Sequence, residues 1–182
     1  MGKRIVVLLG FMGILPFLIT PSPAAQTEYP ACSTFGVQRF QEQKAAHAFS
    51  LKMLDGKQAS LSDFKGKPVL FLFWASWCES CRDEISLIEK FSQGKKDPLT
   101  IFLVAIDGEN EKRIQRIIKD KKITLPVLLD VKEKIARKYG VRMVPTVFLI
   151  SPEGNMVGMI VGPRDWNAPE AWSSIKELFG LQ

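Results

Sequence analysis

The sequence predicts an α/β domain in which helices sandwich one central mixed sheet. Three observations predict it. Two nearly unbroken apolar runs, residues 69–74 and 99–106, have the composition of parallel strands covered on both faces. Each is followed by a stretch of helical period, with Ile85, Ile88 and Phe91 after the first run and Ile114, Ile117 and Ile118 after the second. Near the end, two strands flank a turn at Ser151-Pro152-Glu153-Gly154-Asn155 and a last helix follows, so antiparallel strands join the sheet.

Taken in order, residues 1–25 read as a leader. Lys3 and Arg4 precede an apolar stretch, residues 5–20, and Pro21-Ser22-Pro23-Ala24-Ala25 follows. A basic start, a short apolar centre and small residues at the end make a secretory signal peptide, with cleavage after Ala24 or Ala25. The alternative is an uncleaved anchor, but the apolar run falls short of the ~20 residues a spanning helix needs. Either reading exports the rest of the chain, and membrane contact arises only through an uncleaved N-terminal segment. Residues 26–46 show no sustained periodicity and are expected to form a flexible arm, at most with a short helix near its end, and with Cys32 as a free or oxidisable thiol in it. Lipidation of Cys32 is the lesser alternative, because Tyr29-Pro30 before it and its distance from the apolar run fit poorly.

The folded domain is expected over residues 47–182. Phe49, Leu51 and Met53 alternate with polar neighbours, and Asp55-Gly56-Lys57 marks a hairpin turn before a short strand at 58–61. Residues 62–67 form a turn or a single helical turn leading into the central strand. Beyond the helix 110–121 lie a strand at 125–129 and a short helix at 132–139 that Gly140 ends. Residues 147–150 and 156–161 are the hairpin strands. Residues 169–179 form the last helix, presenting Trp172, Ile175, Leu178 and Phe179 to the core.

Chemistry concentrates where the first apolar run ends. Cys78 and Cys81 are spaced Cys-x-x-Cys between a buried strand and an amphipathic helix, which puts Cys78 at the helix N-terminus. Free N–H groups and the helix dipole stabilise a thiolate there and lower a cysteine pKa to roughly 3.5–7.5. A second thiol one turn on can attack a mixed disulfide at Cys78 and release a reduced partner. The pattern therefore points to dithiol–disulfide exchange. A structural disulfide is a weaker alternative, because so short a loop removes little entropy from the unfolded chain. A zinc site needs about four ligands, whereas the chain has three cysteines and one histidine, His47. The net charge of +6 drops to about +4 without Lys3 and Arg4, too mild and too interspersed for nucleic-acid binding.

Three segments resemble the thioredoxin superfamily, and within it the exported TlpA/ResA-type thiol–disulfide oxidoreductases. They are Phe73-Trp74-Ala75-Ser76-Trp77-Cys78-Glu79-Ser80-Cys81, the run from Tyr139 to Thr146, and Leu54-Asp55-Gly56-Lys57 with the residues from Leu61 to Pro68. The likeness spans residues 48–179. It implies a thioredoxin-like fold with an N-terminal β-hairpin and an inserted helix–strand unit at 110–129, which thioredoxin itself lacks. The resemblance makes Cys78 the attacking thiol and Cys81 the resolving one, together a redox-active disulfide. It makes Pro145 a cis-proline beside them, with the Val144 backbone free to pair with a substrate. Trp77 becomes the indole flanking the exposed sulfur, a core aromatic being the alternative. Glu84 matches a glutamate close to the thiols, able to raise a thiol pKa or relay its proton; a solvated helix charge is the alternative. Leu72 stands where thioredoxin has a buried aspartate, and Ser80 and Ser86 replace prolines.

What the resemblance implies is a protein-disulfide reductase, periplasmic or on the outer face of the cytoplasmic membrane. It would use no cofactor, draw electrons from a membrane thiol-reducing donor, and serve oxidised client proteins in cytochrome c maturation or metal-site assembly. An oxidase making disulfides is the nearest alternative. A copper-binding assembly protein using Cys78, Cys81 and His47, and a thiol peroxidase, fit less well.

Overall fold

A computed structural model of the protein describes Gly2, residues 29–95 and residues 98–181. The expected signal peptide, residues 1–25, lies outside the described residues except for Gly2. In chain order the elements are α1 (Pro30–Phe35), β1 (Gln38–Ala45), β2 (Ser50–Met53), β3 (Gln58–Ser60), β4 (Val69–Trp74) and α2 (Glu79–Ser92). There follow β5 (Thr100–Ala105), α3 (Glu111–Asp120), β6 (Val127–Leu129), α4 (Lys134–Lys138), β7 (Thr146–Ile150), β8 (Asn155–Val161) and α5 (Pro169–Phe179). The eight strands make one mixed sheet in the order β1-β8-β7-β4-β5-β6-β2-β3.

β4 lies at the centre, and all six of its side chains are buried. It pairs parallel with β5, Leu72 opposite Leu103, and antiparallel with β7, Leu72 opposite Val147. Burial on both faces explains why β4 reads as a continuous apolar run instead of an alternation. The predicted hairpin is β2–β3, which joins the sheet through antiparallel pairing of β2 with β6. The predicted helix–strand insertion is α3–β6, and Ile114 buries the apolar stripe of α3. The thioredoxin-like fold expected from the sequence is therefore present.

The expected flexible arm is corrected. Residues 30–45 form α1 and then β1, which pairs antiparallel with β8 from Gln38–Met159 to Ala45–Asn155. α1 packs on α5, with Cys32 and Phe35 buried. Cys32 N donates to Glu177 Oε2 at 2.8 Å, and its Sγ donates to the Ser174 carbonyl at 3.4 Å. Burial, then Glu177, pushes this thiol up to about 12, so Cys32 stays protonated and is not a mobile thiol. Seven of the eight β1 side chains are exposed, so the strand is held by backbone pairing and carries no apolar alternation to read.

Candidate active site

The site forms where β4 ends at the C-terminal edge of the parallel strands. Two hydrogen-bonded groups fix the turn. Ser76 N–H donates to Asp107 Oδ1 at 3.1 Å, and Ser76 Oγ donates to Asp107 Oδ2 at 2.6 Å. Asp107 follows β5, the parallel neighbour of β4, so the sheet itself brings the two together. Cys78 then caps α2, and its Sγ accepts the Cys81 backbone N–H at 3.2 Å. A sulfur at a helix N-terminus, facing a free N–H, is where negative charge is best stabilised.

Cys78 and Cys81 are joined as a disulfide, with Cα atoms 5.3 Å apart. Cys78 keeps 8% of its surface exposed and Cys81 none. Trp77 stands beside the pair with 60% exposed, which excludes the core-aromatic alternative. On the other side the Val144 carbonyl oxygen lies 3.9 Å from Cys78 Sγ, and the Val144–Pro145 peptide is cis. Ser80 Oγ is 3.5 Å from the same sulfur. Trp77, Cys78, Cys81, Val144 and Pro145 thus lie together at this edge, and Met143, next to Val144 in the chain, is exposed.

Glu84 is one helical turn beyond Cys81 and only 1% exposed, so it is not a solvated helix charge. Its Oε1 accepts the indole N–H of Trp166 at 2.7 Å, while Oε2 has no partner in hydrogen-bonding geometry among the described residues. Burial pushes the carboxyl up to about 7, against smaller opposing effects of Trp166 and of the Arg164 backbone and charge. Two other carboxylates are buried nearby in the sheet edge, Asp107 and Asp130. Both oxygens of Asp107 are engaged by Ser76, and both of Asp130 accept backbone N–H groups of Ile135 and Ala136. Glu84 alone among these three keeps an oxygen able to take or give a proton. Leu72, buried in β4, supplies no such group.

Sequence reasoning did not single out Asp107, Arg164 or Trp166. Asp107 had a signal, an acidic residue at the end of a buried parallel strand. Trp166 had none, since it lies in an aperiodic turn 82 residues from its partner. His47 is exposed, its ring edge-on to Tyr139, and Tyr139 donates its hydroxyl to the His47 carbonyl at 2.9 Å. Among the described residues no group of three His, Cys, Asp or Glu side chains gathers as a metal site, the set Cys78, Cys81 and His47 included.

A model of the AhpC/TSA family matches residues 42–159. The thioredoxin-like protein YneN of Bacillus subtilis (strain 168) is 36% identical over 124 residues, covering 67% of this chain and 72% of that protein. The thiol-disulfide oxidoreductase ResA of the same organism is 34% identical over 128 residues, covering 70% of this chain and 71% of that protein. The crystal structure of StoA from Bacillus subtilis matches with a TM-score of 0.61 at 26% identity, over 70% of this chain and 97% of that one.

Proposed function

The chain belongs to the AhpC/TSA family of thioredoxin-like proteins and is a thiol–disulfide oxidoreductase of the ResA/StoA type, and from that premise we propose that it reduces client-protein disulfides outside the cytoplasm. Reduced Cys78 attacks one sulfur of the client disulfide. The client S–S bond breaks, a mixed disulfide forms at Cys78, and the first client thiolate leaves and takes up a proton. Cys81 then loses its proton to the free oxygen of Glu84 and attacks Cys78 Sγ, expelling the second client thiolate. Two electrons have passed to the client, and the protein is left with the Cys78–Cys81 disulfide. Resetting it requires a dithiol donor, for which we propose a membrane thiol-reducing partner.

One observation carries the direction. A strongly oxidising pair owes its potential to a stabilised thiolate in the reduced state. Here a buried carboxyl group sits one turn from Cys81, and when it ionises, near neutrality, its charge disfavours a second negative charge on the thiols. Such a pair favours giving electrons over taking them. Trp77 and the Val144 carbonyl supply an exposed flat surface and a backbone acceptor beside the sulfur, suited to an extended client segment. Export rests on the leader at 1–25; among the described residues no helix is long and apolar enough to cross a membrane. Clients that need free thiols, such as Cys-x-x-Cys-His proteins awaiting haem, fit this direction.

The test is a trap. Cys81→Ser leaves Cys78 able to attack but removes the resolving thiol, so reductant-sensitive adducts with clients accumulate in the cell envelope. Adducts with proteins that work through free thiols support reduction. Adducts mainly with proteins carrying permanent disulfides would reverse the direction, and their complete absence would overturn exchange chemistry.

A further inference from the structure

We propose that Trp166, braced by the N-terminal helix α1, is a positioning residue that holds Glu84 and sets the pH range in which it exchanges a proton with the active-site pair. The proposal rests on the reading that Glu84 serves Cys81.

The bracket is built from three parts of the chain. Trp166 is fully enclosed, and its ring meets Phe35 of α1 edge-on at 5.1 Å and Phe91 of α2 edge-on at 5.1 Å. Wedged between two aromatic rings, the indole cannot turn without displacing one of them, so its N–H stays aimed at Glu84 Oε1. Arg164 is tied to the same helix. Its Nε donates to the Phe35 carbonyl at 3.1 Å, and its Nη1 donates to the Pro163 carbonyl at 2.9 Å. The guanidinium lies over Gly36, where a Cβ would come within 2.8 Å of Nη2, and Gly36 has a φ of +81° that suits glycine. α1 therefore touches both Trp166, which bonds the carboxyl group, and Arg164, two residues before it.

Their effect has a definite sign. Burial favours the neutral acid, whereas a donated N–H and a nearby cation favour the carboxylate. Those opposing influences leave Glu84 titrating near neutrality, where a proton can be both taken and given. The charged group that bears on it is Arg164, from the loop after β8; α1 stands against the bracket through Phe35, and Asp165 is exposed. Phe35, Arg164 and Trp166 all lie outside residues 42–159, the span matched by the family, which contains both cysteines and Glu84.

The experiment follows Glu84 directly. The oxidised protein, labelled with ¹³C at glutamate carboxyls, is titrated by NMR, and Glu84→Gln identifies the signal. In this state the disulfide does not titrate. Trp166→Phe keeps the ring and removes the donor, and should tighten proton binding at Glu84 by about 3- to 10-fold, moving its midpoint upward. Phe35→Leu, which leaves Trp166 intact, should move it the same way by less. An unchanged midpoint in both variants overturns the bracket; if Trp166→Phe does not fold, Phe35→Leu decides alone. The thiol reading is separated by alkylating the reduced protein across pH. If the carboxyl midpoint moves and the alkylation profile does not, the bracket stands and the service of Glu84 to Cys81 fails. A profile shift by Trp166→Phe that persists in a Glu84→Gln background overturns positioning through Glu84.

Discussion

Ser76 and Asp107 are joined twice, by the Ser76 backbone N–H at 3.1 Å and by its hydroxyl at 2.6 Å, across the ends of the two central parallel strands. Ser76 precedes Trp77 and Cys78 directly, so this pair sets where the exposed sulfur stands. Both residues are buried, and removing the carboxylate strands two donors away from water. Asp107→Ala should therefore lower stability by about 2–4 kcal/mol, more than the loss of a single neutral hydrogen bond. Urea unfolding of the oxidised protein measures it. A loss under half a kcal/mol would mean that water replaces the carboxylate at no cost.

Gly108 follows Asp107 and packs against the backbone that ends β6. A Cβ there would lie 2.8 Å from both Asp130 N and Leu129 C, atoms that cannot swing aside. Gly108→Ala gains about 0.4–1 kcal/mol from a less flexible unfolded chain. Overpacking against backbone costs about 1–3 kcal/mol, so the net should be destabilising. A urea midpoint equal to or above that of the unchanged protein would contradict this packing.

The three cysteines should separate kinetically. In the reduced protein at neutral pH, Cys78 should alkylate first, being the one with open surface and the one at the head of α2. Cys81 is enclosed and should follow. Cys32, buried under α5 with its thiol pushed up to about 12, should stay unlabelled until the protein unfolds. Timed iodoacetamide labelling with peptide mass spectrometry reads all three. Faster labelling of Cys81 than of Cys78 would exchange their assigned roles.

The legible parts of this molecule were those with a local signature. β4 announced itself because burial on both faces leaves six consecutive apolar side chains. The cysteine pair did so because a strand, a two-residue spacing and a helix follow one another in the chain. The family resemblance added Pro145 and Trp77, and the structure places both at the disulfide. β1 escaped notice because its side chains face solvent and only its backbone is engaged. Glu84 could be placed one turn after Cys81, but its burial depends on Trp166, Phe35 and Phe91, which meet only in three dimensions. The same holds for Asp107, whose partner Ser76 is 31 residues away.

Glu84 should leave a signature in stability as well as in reactivity. Its carboxyl is held at about 7 in the folded protein against 4.5 ordinarily, chiefly by burial. Below pH 4.5 both folded and unfolded chains carry the proton, and the group does not disfavour folding. As pH rises above that, the unfolded chain ionises while the folded one keeps its proton, so the unfolded state binds fewer protons and stability falls. The fall continues until the folded carboxyl ionises near pH 7 and then levels off, for a total of about 3 kcal/mol. Glu84→Gln keeps an oxygen for the Trp166 indole but cannot ionise, so its stability should lack this decline. Asp130 is also raised by burial, but its contribution is common to both proteins and cancels in the comparison. Urea unfolding of the two oxidised proteins from pH 4.5 to 8 gives the difference. The variant should gain on the unchanged protein up to about pH 7 and keep that gain to pH 8, and parallel curves would show that burial does not raise the Glu84 pKa.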